Sequence, residues 1–534
     1  AAGAPDGSKD AAGTAGAPPK NRLTDPKNFL RGRARPRGIL RRVAPRRALA
    51  ALGLAFGVLV AGACRKPVPV ARVAIHSAPL SFDPHLQNEI VTAAVLANLY
   101  DGLTEFDRES RLVPALAAEW TNPDERTWVF RLRKGVRFHD GRELAAADVV
   151  FSLERARRHP RTGLASYLVE VASVREVDPS TVEIRTSRPF AALLAKLSPI
   201  AIVPRDAPEE IVTPVGTGSY RLASAGRDRL DLEPFPGDWR KGPPPPRLTF
   251  LVEADPRRRV ELLLSGEADV AADLPGDAAE GLRGSPCCRE IAQPGSTVEY
   301  LRLSTLFPPF RDARVREAVS LAIDRAGYVA AAHRGRAQPA GQLVVPGVFG
   351  YAPGLKAEGR DLPRARRLLA EAGYPDGFDV VLDFRPGRQG KALAAQLAEA
   401  GIRATPRETS WTDLHPRIRN GGVAFYFGGV VAQTAEASDV LDGFVHTRDE
   451  ARGYGVTNHS RYSNPRADAL IEQAAATLDM TRRRGLLQEA MEVVMADRFL
   501  VPVAGLYEVY GASRRVRFEP RLDMKLLGRE MRTE

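Results

Sequence analysis

Apolar and polar positions recur along this chain with the two periods expected of strands and helices, and they divide most of it into short elements. RVAIHS, from Arg72, reads as a strand, and Gln87 to Leu103 places Ile90, Ala94, Val95, Leu99 and Leu103 at helical spacing. A strand leading to a helix is therefore predicted to open the folded part. In TWVFRLRKGVRFHDG, Trp128, Phe130 and Leu132 alternate with Arg131 and Arg133 ahead of Asp140-Gly141, the pattern of a half-buried hairpin. Ala146 to Arg158 follows as a helix with Val149, Val150 and Leu153 inward, and STVEIRTS after Pro179 as another alternating strand.

Helix ends are marked as clearly as helix faces. Asp312 is predicted to cap one long helix through FRDARVREAVSLAIDRAGYVAAAH, with Val315, Val319, Ala322, Ile323 and Val329 as its inner face. Asp361 caps the next, which Gly373 and Pro375 end, and DVVLDF continues as a strand. Asn464 and Pro465 repeat that start, and Thr481 to Arg498 carries Leu486, Leu487, Ala490, Val493 and Val494. Strands and helices interleave with no short repeat, so the expected class is a mixed α/β or α+β multidomain protein and not a solenoid. The run Pro243 to Pro246 reads as a rigid surface turn.

Composition sets the scale and the place. A chain of 534 residues predicts two to four folding units, and 44% apolar with 27% charged residues is the balance of a globular protein folded in water. The net charge of +12 suggests nucleic acid until it is located: residues 1–63 hold 12 Lys and Arg against 3 Asp and Glu, which leaves 65 against 62 for the remainder. A near-neutral folded part lacks the basic stripe that phosphates require, which excludes that class of partner. Arg41, Arg42, Arg46 and Arg47 precede the apolar run Ala48 to Ala63, a charged region followed by a hydrophobic one. Its 16 residues fall short of the roughly 20 that span a bilayer, so a cleaved signal is expected in place of a permanent anchor. Residues 1–40 have no apolar periodicity and are expected to be disordered, with translation starting near Val43 or the stretch otherwise absent from the mature protein.

Ala61-Gly62-Ala63-Cys64 resembles the lipobox of bacterial lipoproteins, in which the Cys thiol receives a diacylglyceryl group. That pattern usually has Leu where Ala61 stands, and the alternative is a plain secretory signal with an incidental Cys. Beyond Cys64 only Cys287 and Cys288 remain, so no disulfide framework is available, and neighbouring thiols bridge only through a strained ring. No CxxC spacing offers a zinc or redox site.

Several segments together resemble one family, the extracytoplasmic solute-binding proteins of peptide, nickel and related ABC importers, called family 5. The most specific is LVPALAAEWTNPDERTWVFRLRKGVRFHDGRELAAADVVFSLERA, from Leu112 to Ala156. FDPH at Phe82 to His85, YDGLTEFD at Tyr100 to Asp107, VGTGSYRL at Val215 to Leu222, LLSGEADV at Leu263 to Val270 and PPFRDARVREAVSLAIDR at Pro308 to Arg325 agree in order, and YSNPRADALIEQA closes the set. The resemblance implies a bilobed fold of two lobes, three domains and a hinge. Domain I would comprise residues 64–106, 215–302 and 501–534, domain II residues 107–214 and domain III residues 303–500. It also implies a monomeric lipoprotein that holds a small polar solute, an oligopeptide or dipeptide by default, and delivers it to an ABC permease and ATPase. No cofactor, metal or nucleic acid is implied.

The resemblance carries site residues with it. Family members place a Trp on a helix of the third domain, matched by Trp411, and then a segment whose Asp pairs with a peptide's N-terminal ammonium. Here that segment reads FYFGGVVAQTAEASDVL, where Val430 takes the place of a second Trp and Gln433 that of the Asp. Gln accepts a hydrogen bond from an amine but does not neutralise it, so Glu436 and Asp439 are the alternative anchors. Of Tyr426 and Phe427, alternation sends one into the core and the other toward a ligand. Tyr507 matches a Tyr lining the family's cleft, and Phe82 and Asp83 stand near its floor, where Asp83 equally serves as a backbone cap. His446 and His459 offer themselves as nickel ligands but read better as solvated loop histidines, and His139 as structural. Two rival classes remain. A non-transport lipoprotein sensor for a peptide-like signal has the same sequence features, whereas for a periplasmic hydrolase the chain offers no HExxH, GxSxG or Walker loop.

Overall fold

Two long strands, Cys288–Leu303 and Leu500–Ser513, run antiparallel through the centre of the largest sheet in this computed structural model. The structure describes residues 69–86, 89–243 and 245–533. The predicted leader, the signal, Cys64, the start of the first helix at Gln87 and Pro244 of the proline run lie outside the described residues.

The near ends of the long strands join one half of the sheet. Val270–Ala271, Val70–Ile75, Arg247–Val252, Arg229–Pro234 and Tyr220–Ala225 follow one another outward, with Val70–Ile75 parallel to both of its neighbours. The far ends join the other half, Phe425–Val431, Phe378–Phe384 and Ile402–Glu408, in which the last three run parallel. The ladder slips midway, between Pro294 and Val298. Pro294 brings no N–H to it, and at Gly295 a Cβ would come within 2.7 Å of the Glu508 side chain, so the strand bulges there. This break in the ladder separates the two halves of the sheet.

A separate antiparallel sheet, in the order Ala117–Asp124, Thr127–Leu132, Thr181–Thr186 and Val171–Asp178, packs on helix Ala146–Arg158. Trp128, Phe130, Val149, Leu153, Val182 and Ile184 form its core, so the face expected from alternation is the buried one. All of this sheet falls within residues 107–214.

The capping predictions correspond to observed bonds: Asp312, Asp361 and Asn464 accept from the backbone N–H of Arg314, Arg364 and Arg466. Two helices are shorter than their patterns suggest. The first is confined to Ile90–Leu96, capped by Glu89, while Leu99 and Leu103 are buried in the loop beyond it. The long helix is broken into Ala313–Ala322 and Arg325–His333, because Asp324 turns its carboxylate onto the N–H of Gly327 and starts a second helix. Tertiary burial explains both cases, since Leu99, Leu103 and Ile323 are inside without needing helical backbone to put them there.

Candidate functional site

A cavity of about 180 Å³ lies where four distant stretches of chain meet: residues 84–106 after the first strand, residues 164–167 and 198–201 from the region of the four-stranded sheet, residues 431–435, and residues 521–529 near the C-terminus. Ser296, at the bulge of the crossing strand, also lines it. One wall is apolar, with Ile90, Leu96, Phe106, Leu164 and Leu522. Ile90 is 43% exposed because the first helix turns it into this space.

Other lining residues are charged. Asp101 accepts from Arg240 Nη2 at 2.5 Å, Trp239 Nε1 at 3.0 Å and Thr217 Oγ1 at 2.9 Å. Burial alone would raise its pKa, but the Arg240 guanidinium outweighs burial and holds it at about 2. Arg521 donates to both oxygens of Asp523, to Glu530 and to the Phe106 carbonyl, which ties the C-terminal segment to the loop beside the cavity. Arg529 donates from Nη2 to Glu105 Oε2 at 3.0 Å, and its burial, with Arg240 nearby, lowers its pKa against the pull of Glu105 and Asp101.

Four contacts cross from residues 167–196 to the segment after Phe425–Val431 and its neighbours. The Tyr167 hydroxyl donates to Gln433 Oε1, Arg188 donates to the Tyr454 hydroxyl, the Ala191 N–H meets the Ala475 carbonyl at 2.8 Å, and Lys196 Nζ lies 2.5 Å from Asp439 Oδ1. Lys196 and Asp439 are both nearly buried. Burial would lower the Lys196 pKa, yet Asp439 and Asp442 raise it above the ordinary lysine range. Asp442 is pushed up to about 6 by burial, with Lys196 opposing and Asp439 adding to the rise. Those contacts tie residues 167–196 to residues 433–475.

The family profile described as bacterial extracellular solute-binding proteins, family 5 (middle), matches residues 111–452. The glutathione-binding protein GsiB of Escherichia coli strain K12 is 30% identical over 488 residues, 86% of this chain and 93% of that protein. The chain belongs to family 5 of the bacterial extracellular solute-binding proteins. Two solved structures share the fold of this family 5 protein. The ABC transporter-associated periplasmic binding protein DppA of Helicobacter pylori, in complex with peptide STSA, is 25% identical with a TM-score of 0.72 over 87% of this chain and 98% of that one. HbpA2 of Haemophilus parasuis is 24% identical with a TM-score of 0.78 over 87% of this chain and 100% of that one. A family 5 protein is the solute-binding component of an ABC importer.

Of the residues singled out from sequence, the structure brings Gln433 to the cavity, exposed and in contact with Tyr167. Val430 is buried one strand position before the cavity wall begins at Val431. Tyr426 and Phe427 are both buried in cores, so alternation does not send either toward a ligand: Tyr426 stands edge-on to Tyr300, and Phe427 to Tyr328. Trp411 is neither core nor cavity lining. It is 41% exposed on the first turn of its helix, stacked on His415 with the Arg385 guanidinium over it. Tyr507 is half-buried in the crossing strand and outside the cavity lining.

Phe82 accepts from the Tyr100 hydroxyl through its carbonyl, and Asp83 is wholly buried against Arg155, also accepting from the N–H groups of His85 and Ile211. Asp83 thus fastens the FDPH loop to helix Ala146–Arg158. Glu436 is engaged by Arg483 and Asp439 by Lys196, so the two alternative anchors are already neutralised by the chain's own cations. His446, expected in solvent, is buried, bonded to Glu472 at 3.0 Å and stacked on Tyr454. His139 bridges to Gly216 and Gly218, and Cys287 and Cys288 are free thiols with sulfurs 3.2 Å apart.

Sequence reasoning missed Tyr167, Lys196, Lys525 and Arg529. Asp101 lay inside the recognised YDGLTEFD segment and was available as a buried acid. The C-terminal residues gave no periodic signal.

Proposed function

We propose that this importer component captures a small peptide-like solute in the cavity and releases it to the permease when the lobes part. The observation that carries the reading is Gln433, which lines the cavity and bonds across it to Tyr167, at the register where peptide-binding members of the family carry an anchoring Asp. The glutathione named for GsiB and the peptide STSA named for DppA are solutes of this chemistry. In this reading residues 64–302 and 501–534 make one lobe, with residues 107–214 as its smaller domain, and residues 303–500 make the other. The mature protein is a monomer that starts at Cys64 and is held to the membrane by a diacylglyceryl group there, on the strength of the Ala61-Gly62-Ala63-Cys64 motif.

Protein extracted from membranes tests both parts together. Its intact mass is expected to start at Cys64 with the lipid attached. Its thermal midpoint is expected to rise by several degrees with at least one of glutathione, Met-Leu and Ser-Thr-Ser-Ala, since a solute at a hundredfold excess over its Kd stabilises by about 2.7 kcal/mol. Nickel and oligosaccharides are expected to leave the midpoint unchanged. An unlipidated mass would remove the anchor, and a midpoint moved by none of the peptides would remove the peptide reading.

A further inference from the structure

The cavity presents hydrogen-bond donors to its solute and holds its carboxylates in internal pairs. We propose that the solute is anchored by an anionic group, a carboxylate received by Arg529 and Lys525, and that a free ammonium is not required for binding. This rests on the reading of the cavity as a peptide-like solute site.

Arg529 lines the cavity with five N–H donors on its guanidinium, and among the described residues it makes one hydrogen bond, from Nη2 to Glu105. Its side chain is 18% exposed, and the cavity is the space it borders. Four donors in a fixed fork, set in a partly dehydrated wall, match a carboxylate. Lys525 lines the same space, and the nearest carboxylate oxygen to its Nζ is that of Asp523 at 3.6 Å, already beyond hydrogen-bond distance. Across the cavity, Gln433 accepts through Oε1 from Tyr167, and among the described residues its amide NH₂ makes no hydrogen bond, so it offers donors as well.

The acidic groups of the wall are engaged by other arginines. Asp101 is held by Arg240, and Asp523 is held by Arg521. Glu105 is shared between Arg529 at 3.0 Å and Arg240 at 3.6 Å, and Asp523 between Arg521 and Lys525, whose Nζ lies 3.6 Å away. Behind the wall, Lys196 and Arg483 neutralise Asp439 and Glu436. A solute ammonium entering this cavity meets no carboxylate without a cation, and a solute carboxylate meets Arg529, Lys525 and the Gln433 amide. The class of solute is therefore a small peptide-like acid whose amine is free, blocked or engaged in an unusual linkage without much consequence for affinity.

Calorimetric titration of the purified protein with Met-Leu, Ser-Thr-Ser-Ala and glutathione tests this, each used as the free acid, the N-acetyl derivative and the form with every carboxyl group amidated. Amidation is expected to weaken binding about 30-fold or more, the loss typical of removing one partner of a desolvated charge pair, and N-acetylation less than threefold. Arg529→Gln is expected to bring the free acid down to the affinity of the amide while leaving the amide unchanged. Lys525→Gln, at a side chain 25% exposed against 18% for Arg529, is expected to weaken the free acid alone by about fivefold. Binding abolished by N-acetylation and unaffected by amidation would overturn the anionic anchor while leaving the peptide site intact. Binding by none of the nine compounds would overturn the peptide site itself.

Discussion

Lys196→Ala is expected to open the protein and to weaken solute binding by about 100-fold. In this structure the Lys196 ammonium is nearly buried, 2.5 Å from Asp439, and it offsets the charge of Asp439 and, together with Arg483, that of Asp442. Breaking a buried pair by removing one partner costs about 3–5 kcal/mol, because the remaining charge is left without compensation. An open cleft relieves that cost by admitting water to Asp439, so the loss falls on closure more than on folding. A bias of about 3 kcal/mol toward the open form lowers apparent affinity by the corresponding two orders of magnitude. Small-angle scattering should show a larger radius of gyration for the variant, and Lys196→Arg should restore the wild-type value.

The effect carries a pH signature. Asp442 has its pKa raised to about 6 by burial, so the closed protein binds that proton more tightly than an open or unfolded chain does. Its contribution favours closure fully below the ordinary range of an Asp carboxyl, about pH 4, and is lost as the pH rises from there to 6. The Lys196→Ala penalty should accordingly be smaller at pH 5 than at pH 8. An unchanged radius and affinity at both pH values would show that the pair contributes nothing to closure.

Arg483→Ala is expected to destabilise the region that carries residues 431–442 by about 3–5 kcal/mol, with loss of solute binding as a consequence. Arg483 and Glu436 form a fork-to-fork pair that is almost fully buried, with Nη2 donating to Oε2 at 2.8 Å and Nε to the Ala474 carbonyl at 3.2 Å. Without the guanidinium, among the described residues the Glu436 carboxylate keeps only the Ser438 hydroxyl, at 2.9 Å. Burying a carboxylate with one neutral donor is strongly unfavourable. The double variant Arg483→Met, Glu436→Leu should recover most of the loss, since apolar side chains of similar volume replace such pairs at little cost. The urea midpoint of each variant reads this directly, and a single variant as stable as wild type would show that the pair is solvated.

What was legible in the sequence was what is locally determined. Caps at Asp312, Asp361 and Asn464, and the alternation of Trp128, Phe130 and Leu132, depend on neighbours a few positions away, and the structure has them where the pattern puts them. Trp411 illustrates the limit: the family register offered it as a ligand contact, and only the packing of Leu414 and Ile418 turns the helix so that Trp411 faces outward. The charged wall was further from reach. Arg521 and Arg529 acquire their roles through Phe106 and Glu105, more than 400 positions earlier, and a sequence without periodicity carries no trace of such a pairing. Gln433 was found by register with a family segment, but its partner Tyr167 stands 266 positions away in the sequence.

The most direct test is amide hydrogen exchange on the purified protein with and without the tightest binder among glutathione, Met-Leu and Ser-Thr-Ser-Ala. Enclosure between the lobes predicts slowed exchange in residues 164–167, 196–201, 431–439 and 521–529 together, with the core of the four-stranded sheet unchanged. Protection confined to one side of the cavity, or appearing only away from it, would contradict capture by closure.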